Sequence, residues 1–273
     1  MSRIISLLGY SFITLKDIFL SRKLVLSLAG KDFKRRFAGS YFGIFWAFLN
    51  PILTIIVYSM VFTYAFKAPY VGNVSFLVWF ITGIIPWLFI SEALFTTSAS
   101  LLEYSYLIKK VSFNVNVIPL IKIMSSFFIH LFFVLILVLL ILVMGYSPNI
   151  YIVQLPYYMF CTVFFLYCFG LFASSITVLF RDFSQIISIL ILIGMWGSPI
   201  SWDINIFPEN IQFFLKLNPL VYIIEGYRDC IFNEVWFFQK YNLSVYFWLV
   251  NIMLFLLGNF VFRRLKPHFS DVL

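Results

Sequence analysis

Between Phe127 and Met144 the chain carries one polar side chain, His130, and that run limits what the chain can fold into. About 20 apolar residues in a helix match the roughly 30 Å hydrocarbon core of a bilayer. A segment in that core must satisfy its own backbone N–H and C=O groups, which leaves helices or closed-barrel strands. Barrel strands alternate apolar and polar residues over ~10 positions. The runs here do not alternate, so they read as helices. Composition agrees: 63% of the 273 residues are apolar and 11% are charged, against roughly 25% charged in domains whose surface faces water. Six spans are expected, over Ile44–Phe66, Val74–Leu94, Ile118–Met144, Val153–Phe180, Phe183–Ile200 and Val245–Phe262. The expected fold is an all-α integral membrane domain over 1–273. An amphipathic interface helix covers 10–38, a six-span bundle 44–262 and a cytoplasmic tail 263–273, with no internal repeat.

Lysine and arginine set the orientation, because cytoplasmic segments carry an excess of them. With the N-terminus inside, the inner segments hold the basic N-terminal stretch, Lys109, Lys110, Lys122, Arg181, Arg263, Arg264 and Lys266. The outer ones hold Lys67, Lys216, Arg228 and Lys240. Six spans then leave both termini in the cytoplasm. The net charge of +8 reads as this topology signal acting beside anionic lipid headgroups, and no nucleic-acid partner is expected. Cys161, Cys168 and Cys230 have no ligand-like spacing, so neither a metal site nor a disulfide framework is expected. No cleavable signal is visible, and the first span is expected to act as an uncleaved anchor.

Two segments outside the spans are unusual. At ~100° per residue, Leu15, Ile18, Phe19, Val25, Leu26, Ala29, Phe33 and Phe37 share one face of an N-terminal helix. Lys16, Lys23, Lys31, Lys34 and Arg35 fall mostly on the other. Such a helix lies in the interface plane, as an anchor or as a lever against a cytoplasmic partner. The segment from Ser201 to Ser244 is too apolar for an ordinary outer loop, yet Pro208 and Pro219 interrupt it. Two short helices near Glu209–Leu217 and Leu220–Phe232, dipping into the outer leaflet, fit this pattern. They suit a pore mouth or plain interfacial packing. Glu225 and Arg228 are three apart and can pair on one helical face.

Several chemistries are absent from the sequence. Gly30-Lys31-Asp32 lacks the upstream glycine and following Ser or Thr of a phosphate cradle, so ATP is not expected to bind here by that route. The histidines are His130 and His268 alone, which leaves no Ser-His-Asp arrangement and no catalytic residue. His130 is expected to make an interhelical hydrogen bond rather than relay protons. Glu92 and Glu103 sit toward the cytoplasmic end of the second span and Asp182 at a turn, so acids avoid the span centres. Energy for any transport must then come from outside this chain.

Several stretches resemble one family. They are Arg36-Phe37-Ala38-Gly39-Ser40-Tyr41-Phe42-Gly43-Ile44-Phe45-Trp46 running to Asn50-Pro51, Leu107-Ile108-Lys109-Lys110-Val111-Ser112-Phe113, and Ile118-Pro119-Leu120. They continue with Phe180-Arg181-Asp182, Ser198-Pro199-Ile200, Leu217-Asn218-Pro219-Leu220 and the tail Lys266-Pro267-His268-Phe269-Ser270-Asp271-Val272-Leu273. In this order they resemble the permease subunits of type-2 ABC exporters of O-antigen, capsule and teichoic acid. The family usually has proline where Asn114 stands and often alanine where Ser270 stands.

That resemblance implies two copies of this chain paired with two ATP-binding cassette subunits in the cytoplasmic membrane. ATP and Mg would be held by the partners, none by this chain, and a lipid-linked polysaccharide would move outward. It implies ATPase coupling through Glu103, Tyr106, Leu107, Lys109, Lys110 and Phe113 of the loop Leu101–Phe113, with Lys34 and Arg35 of the interface helix. It implies an outer gate at Asn218, Pro219, Glu225 and Arg228. A conduit between two copies would suit aromatic walls, because ring faces pack on sugar C–H surfaces; Trp46, Tyr58, Trp87 and Trp196 are the candidates. Two other readings stand beside it. One is a permease of the same fold for a drug or simple lipid. The other is an integral membrane glycosyl- or acyltransferase, which would want paired carboxylates or a His-Asp pair near the interface.

Overall fold

In the computed structural model, described at residues 2–65, 67, 70–72, 74–109, 113–146 and 149–272, every long element is helical. The helices are α1 (Ser2–Leu20), α2 (Arg22–Arg36), α3 (Phe45–Met60), α4 (Phe76–Ser98), α5 (Ser100–Glu103) and α6 (Ser105–Ile108). Then come α7 (Ile118–Val143), α8 (Leu155–Leu179), α9 (Phe183–Trp196), α10 (Glu209–Lys216), α11 (Pro219–Arg228) and α12 (Tyr241–Val272). A two-residue antiparallel hairpin, Tyr70–Val71 with Val74–Ser75, turns at Gly72, whose φ of +59° glycine adopts without strain.

Five helical stretches are long and apolar enough to cross a bilayer: Phe45–Ala65, Phe76–Ser98, Val115–Val143, Ile150–Leu179 and Tyr241–Phe269. α9 is apolar but has 14 residues, about 21 Å at 1.5 Å per residue, which is shorter than a hydrocarbon core. The expected fifth span to Ile200 therefore ends early, at Trp196; Gly197 follows and the chain bends.

α4 is the hub, packing on α7, α8, α9 and α11, while α12 lies along α8. In a bilayer, close approach of small residues replaces the hydrophobic drive between helices. Gly258 of α12 shows this: a Cβ there would meet the Cys168 carbonyl of α8 at 2.9 Å. Burial is uneven. In the 18-residue apolar stretch of each span, about 72% of residues in α4 and 67% in the α8 span are fully buried, against 6% in the α3 span. α9 buries Ile187 alone. α3 and α9 therefore each set one face on the bundle, through Phe48, Ile52, Ile55 and Tyr58 and through Ile187, Ile191 and Met195, and leave the other face uncovered in one copy of the chain.

The N-terminal segment departs from the expected single helix. It breaks at Ser21 into α1 and α2, although backbone bonds from Ser21 N–H to Asp17 and from Val25 N–H to Ser21 keep the axis nearly continuous. The expected apolar face also divides. Val25 and Ala29 are buried against the bundle, whereas Leu15, Phe19 and Leu26 are exposed. Small and β-branched residues fit the helix–helix contact, and the large ones are left for lipid. Residues 263–272 are not a separate tail, because α12 runs through Pro267 to Val272 and buries Phe262 against Phe269.

Candidate functional site

α11 begins at the Asn218-Pro219 corner. Pro219 has no N–H to lose at the first helical position. Asn218 Oδ1 accepts from Leu220 N–H at 3.0 Å, and its Nδ2 donates to Gly197 O at 3.2 Å and Ser198 Oγ at 3.0 Å. The corner is thereby fixed to the end of α9. One helix length on, Arg228 is 1% exposed. Its guanidinium donates to Glu225 Oε1 at 2.6 Å, to Pro199 O at 2.5 Å and to Ile200 O at 3.0 Å. It also lies over the Trp79 ring of α4, 3.4 Å from its centroid. This close approach needs Gly83 on α4, where a Cβ would come within 2.7 Å of Arg228 Nη2. The gate residues assigned by resemblance thus form one cluster binding α11, the turn after α9, and α4. Arg228 does not reach water.

Where α2 packs on α7, the structure assembles charges that the sequence reading left apart. Asp32 of α2 is buried and accepts from Tyr104 Oη at 2.9 Å and from Lys122 Nζ of α7 at 2.8 Å. Lys122 also reaches Glu103 Oε2 at 2.6 Å. Arg36 pairs with Asp32 at 3.4 Å, donates to Glu92 of α4 at 2.6 Å and to Ser126 at 3.2 Å. Burial pushes the Asp32 carboxyl up, but Lys122, with the Ser125 and Tyr104 hydroxyls, outweighs it and holds the group below its ordinary range.

Around this network, Lys34, Arg35, Glu103, Tyr106 and Lys109 are exposed, as a docking surface requires. Leu107 is a correction: it is 9% exposed and joins the core. On the one-turn helix α6 adjacent residues point ~100° apart, so with Tyr106 outward Leu107 turns in. Phe113 is partly buried against the core, and Lys110 lies outside the described residues. Asn114 has φ −82°, near the ~−65° that proline fixes, so asparagine holds the backbone close to the shape a proline would give.

The aromatic candidates separate. Tyr58 and Trp196 line one groove of about 790 Å³ between α3 and the end of α9, with Phe62 and Trp202. Trp46 lines another cavity, of about 270 Å³, between α3, α4 and α7. Trp87 is 4% exposed and wedged against Gly194 of α9; it is a packing residue within one copy, not a wall. His130 makes the interhelical bond, Nε2 to Tyr227 Oη of α11 at 2.7 Å. Among the described residues no group of His, Cys, Asp and Glu is arranged to hold a metal ion, and all three cysteines are free and buried.

Asp32, Lys122, Trp79, Gly83 and Tyr227 were missed as site residues. Asp32 had a signal: it follows Val25 and Ala29 at helical spacing, an acid on the protein-facing stripe of a basic helix, which demands a buried cation. Lys122 offered the same signal from inside a span. Trp79, Gly83 and Tyr227 are met only through packing between distant segments.

A hub helix, buried charge clusters and five helical stretches long and apolar enough to cross a bilayer define a multi-pass membrane protein. The family model described as "ABC-2 type transporter" matches residues 23–232, and the chain belongs to that family. It is 26% identical over 251 residues to the "O-antigen export system permease protein RfbA" of Klebsiella pneumoniae, covering 92% of this chain and 95% of that protein. A Klebsiella pneumoniae protein of the same name is 25% identical with the same coverage. One of that name from Myxococcus xanthus is 25% identical over 221 residues, 80% of this chain and 84% of that protein.

Proposed function

We propose that this chain is the membrane-spanning subunit of an ATP-driven exporter that moves a lipid-linked, O-antigen-like polysaccharide across the cytoplasmic membrane. The observation that carries this reading is similarity to O-antigen export permeases along 92% of the chain. Family membership alone would leave drugs and simple lipids as equal candidates. The transferase reading gains nothing, since the carboxylates at the interface are engaged by Arg36 and Lys122.

The working unit is a pair of these chains. In the apolar stretch of the α3 span 6% of residues are fully buried, and a second copy facing the uncovered sides of α3 and α9 gives those surfaces a protein partner. The aromatic groove of Tyr58, Trp196 and Trp202 then borders the conduit. α9 with the turn after it serves as a short fifth span, so that six crossings leave both ends in the cytoplasm. α10 and α11 form the re-entrant pair at the outer mouth, held closed by Arg228 on the carbonyls after α9. Two ATPase subunits, holding ATP and Mg, dock on the exposed face of α2 and on the α5–α6 loop. The network Glu103–Lys122–Asp32–Arg36–Glu92 ties those docking elements to α4 and α7.

The test is co-purification. A tagged chain expressed with its native neighbouring genes and extracted gently should bring down a P-loop ATPase in equal amount. A permease that purifies without one under these conditions contradicts the reading.

A further inference from the structure

We infer that the cavity between α3, α4 and α7 is a binding site for a single hydroxylated sugar ring, and that His130 connects its occupancy to the gate helix α11. The inference deepens the proposed function by placing a sugar subsite inside each copy of the chain, beside the groove of Tyr58 and Trp196, with Thr54 lining both.

The cavity holds about 270 Å³, room for roughly nine waters at ~30 Å³ each or for one six-membered ring bearing hydroxyls. Its wall is mixed as a sugar requires. Trp46 and Phe133 offer apolar faces, while Asn50, Thr54, Ser126 and His130 offer polar atoms. Glu92 also lines it, but its charge is matched by Arg36 at 2.6 Å. The site is thus mixed in polarity and close to neutral, which favours a neutral hydroxylated ring over a phosphate.

Two features mark it as built rather than left over. His130 is 2% exposed, its Nε2 is bonded to Tyr227, and its Nδ1 has no partner. Whichever nitrogen carries the proton, Nδ1 keeps one unmet donor or acceptor. A buried polar atom left unmet is costly, and a ligand hydroxyl would satisfy it. Pro51 of α3 supplies no N–H to the Ala47 carbonyl one turn back, and both residues line the cavity. That carbonyl thereby lacks its usual i+4 donor at the same place. Tyr227 lies on α11 one residue before Arg228, so the imidazole bridges the cavity and the gate cluster.

The experiment uses the purified permease alone, so it succeeds or fails independently of any ATPase partner. The native thiols are buried, and Ser91→Cys in the cavity wall supplies one reactive thiol for a maleimide. Nonyl glucoside should slow its labelling, and an amine oxide of the same chain length should not. Methyl glucoside in water separates a ring entering from solvent from one delivered by the membrane; protection by either glucoside supports the site. In the Ser91→Cys background, His130→Gln keeps a polar group near the Nε2 position and loses the one at Nδ1. His130→Asn does the reverse. Apparent affinity for the glucoside should fall about tenfold with His130→Gln or Asn50→Val, the effect of losing a hydrogen bond to a buried partner, and should hold with His130→Asn. Equal protection by glucoside and amine oxide, protection by neither glucoside, or unchanged affinity in His130→Gln would overturn the site. Monodispersity and melting temperature of each variant separate lost binding from misfolding.

Discussion

Arg228 places a full charge where 1% of its surface is exposed, and its two terminal nitrogens are held while Nε is left without a partner. Glu225 balances it, two carbonyls accept from it, Trp79 stacks under it and Gly83 makes room. Removing one partner of a buried pair leaves the other uncompensated. Glu225→Gln and Arg228→Gln should therefore each lower thermal stability and export, and the double change should lose less than the sum; simple additivity would mean that the pair does not hold the gate. Gly83→Ala should cost about 1–3 kcal/mol through overpacking, read in a melt, because the new methyl meets Arg228. At the other end, Asp32→Asn should cost about 3 kcal/mol. The folded carboxyl is held below its ordinary value of 3.8, so its contribution is complete above that pH and is lost as pH falls through the lower folded value. The stability gap between wild type and Asp32→Asn should stay flat from pH 8 to about 5 and close only below the ordinary value.

Among the elements, α6 divides its neighbours cleanly: Tyr106 points out and Leu107 in. Tyr106→Ala with Lys109→Ala should therefore uncouple ATP hydrolysis from export while the protein still inserts and folds. Leu107→Ala should instead destabilise the bundle by about 2–5 kcal/mol. Normal export by the first pair would remove α6 from the coupling surface. Most elements were legible because hydropathy speaks locally. Phe127–Met144 could only be a buried or spanning helix, and Asn218-Pro219 announced a helix start. What was not legible depends on partners far along the chain. Nothing near Asp32 says that Lys122, 90 residues later, will meet it. Nothing near Trp87 says that Gly194 will cover it. The early end of α9 escaped because Gly197, Ser198 and Pro199 sit in an apolar run, where composition still reads as span.

For the whole molecule, the proposed pairing of two copies predicts a contact along α3, where 6% of the residues in the apolar stretch are fully buried. A cysteine at position 57, on an exposed face of α3, should form a disulfide between two copies in native membranes, and one at Phe160 on the exposed side of α8 should not. Sidedness follows from the same picture. A cysteine at 210 should react with an impermeant thiol reagent from outside intact cells and one at 105 should not; strong labelling at 105 would invert the topology. The central claim is that this chain carries a finished lipid-linked polysaccharide outward. The most direct measurement is where that polymer lies in cells lacking the chain. Antibody or lectin staining of intact and permeabilised cells should find it trapped inside, still on its lipid carrier, with the surface bare until the gene is restored. A surface polymer unchanged by the deletion would contradict the account.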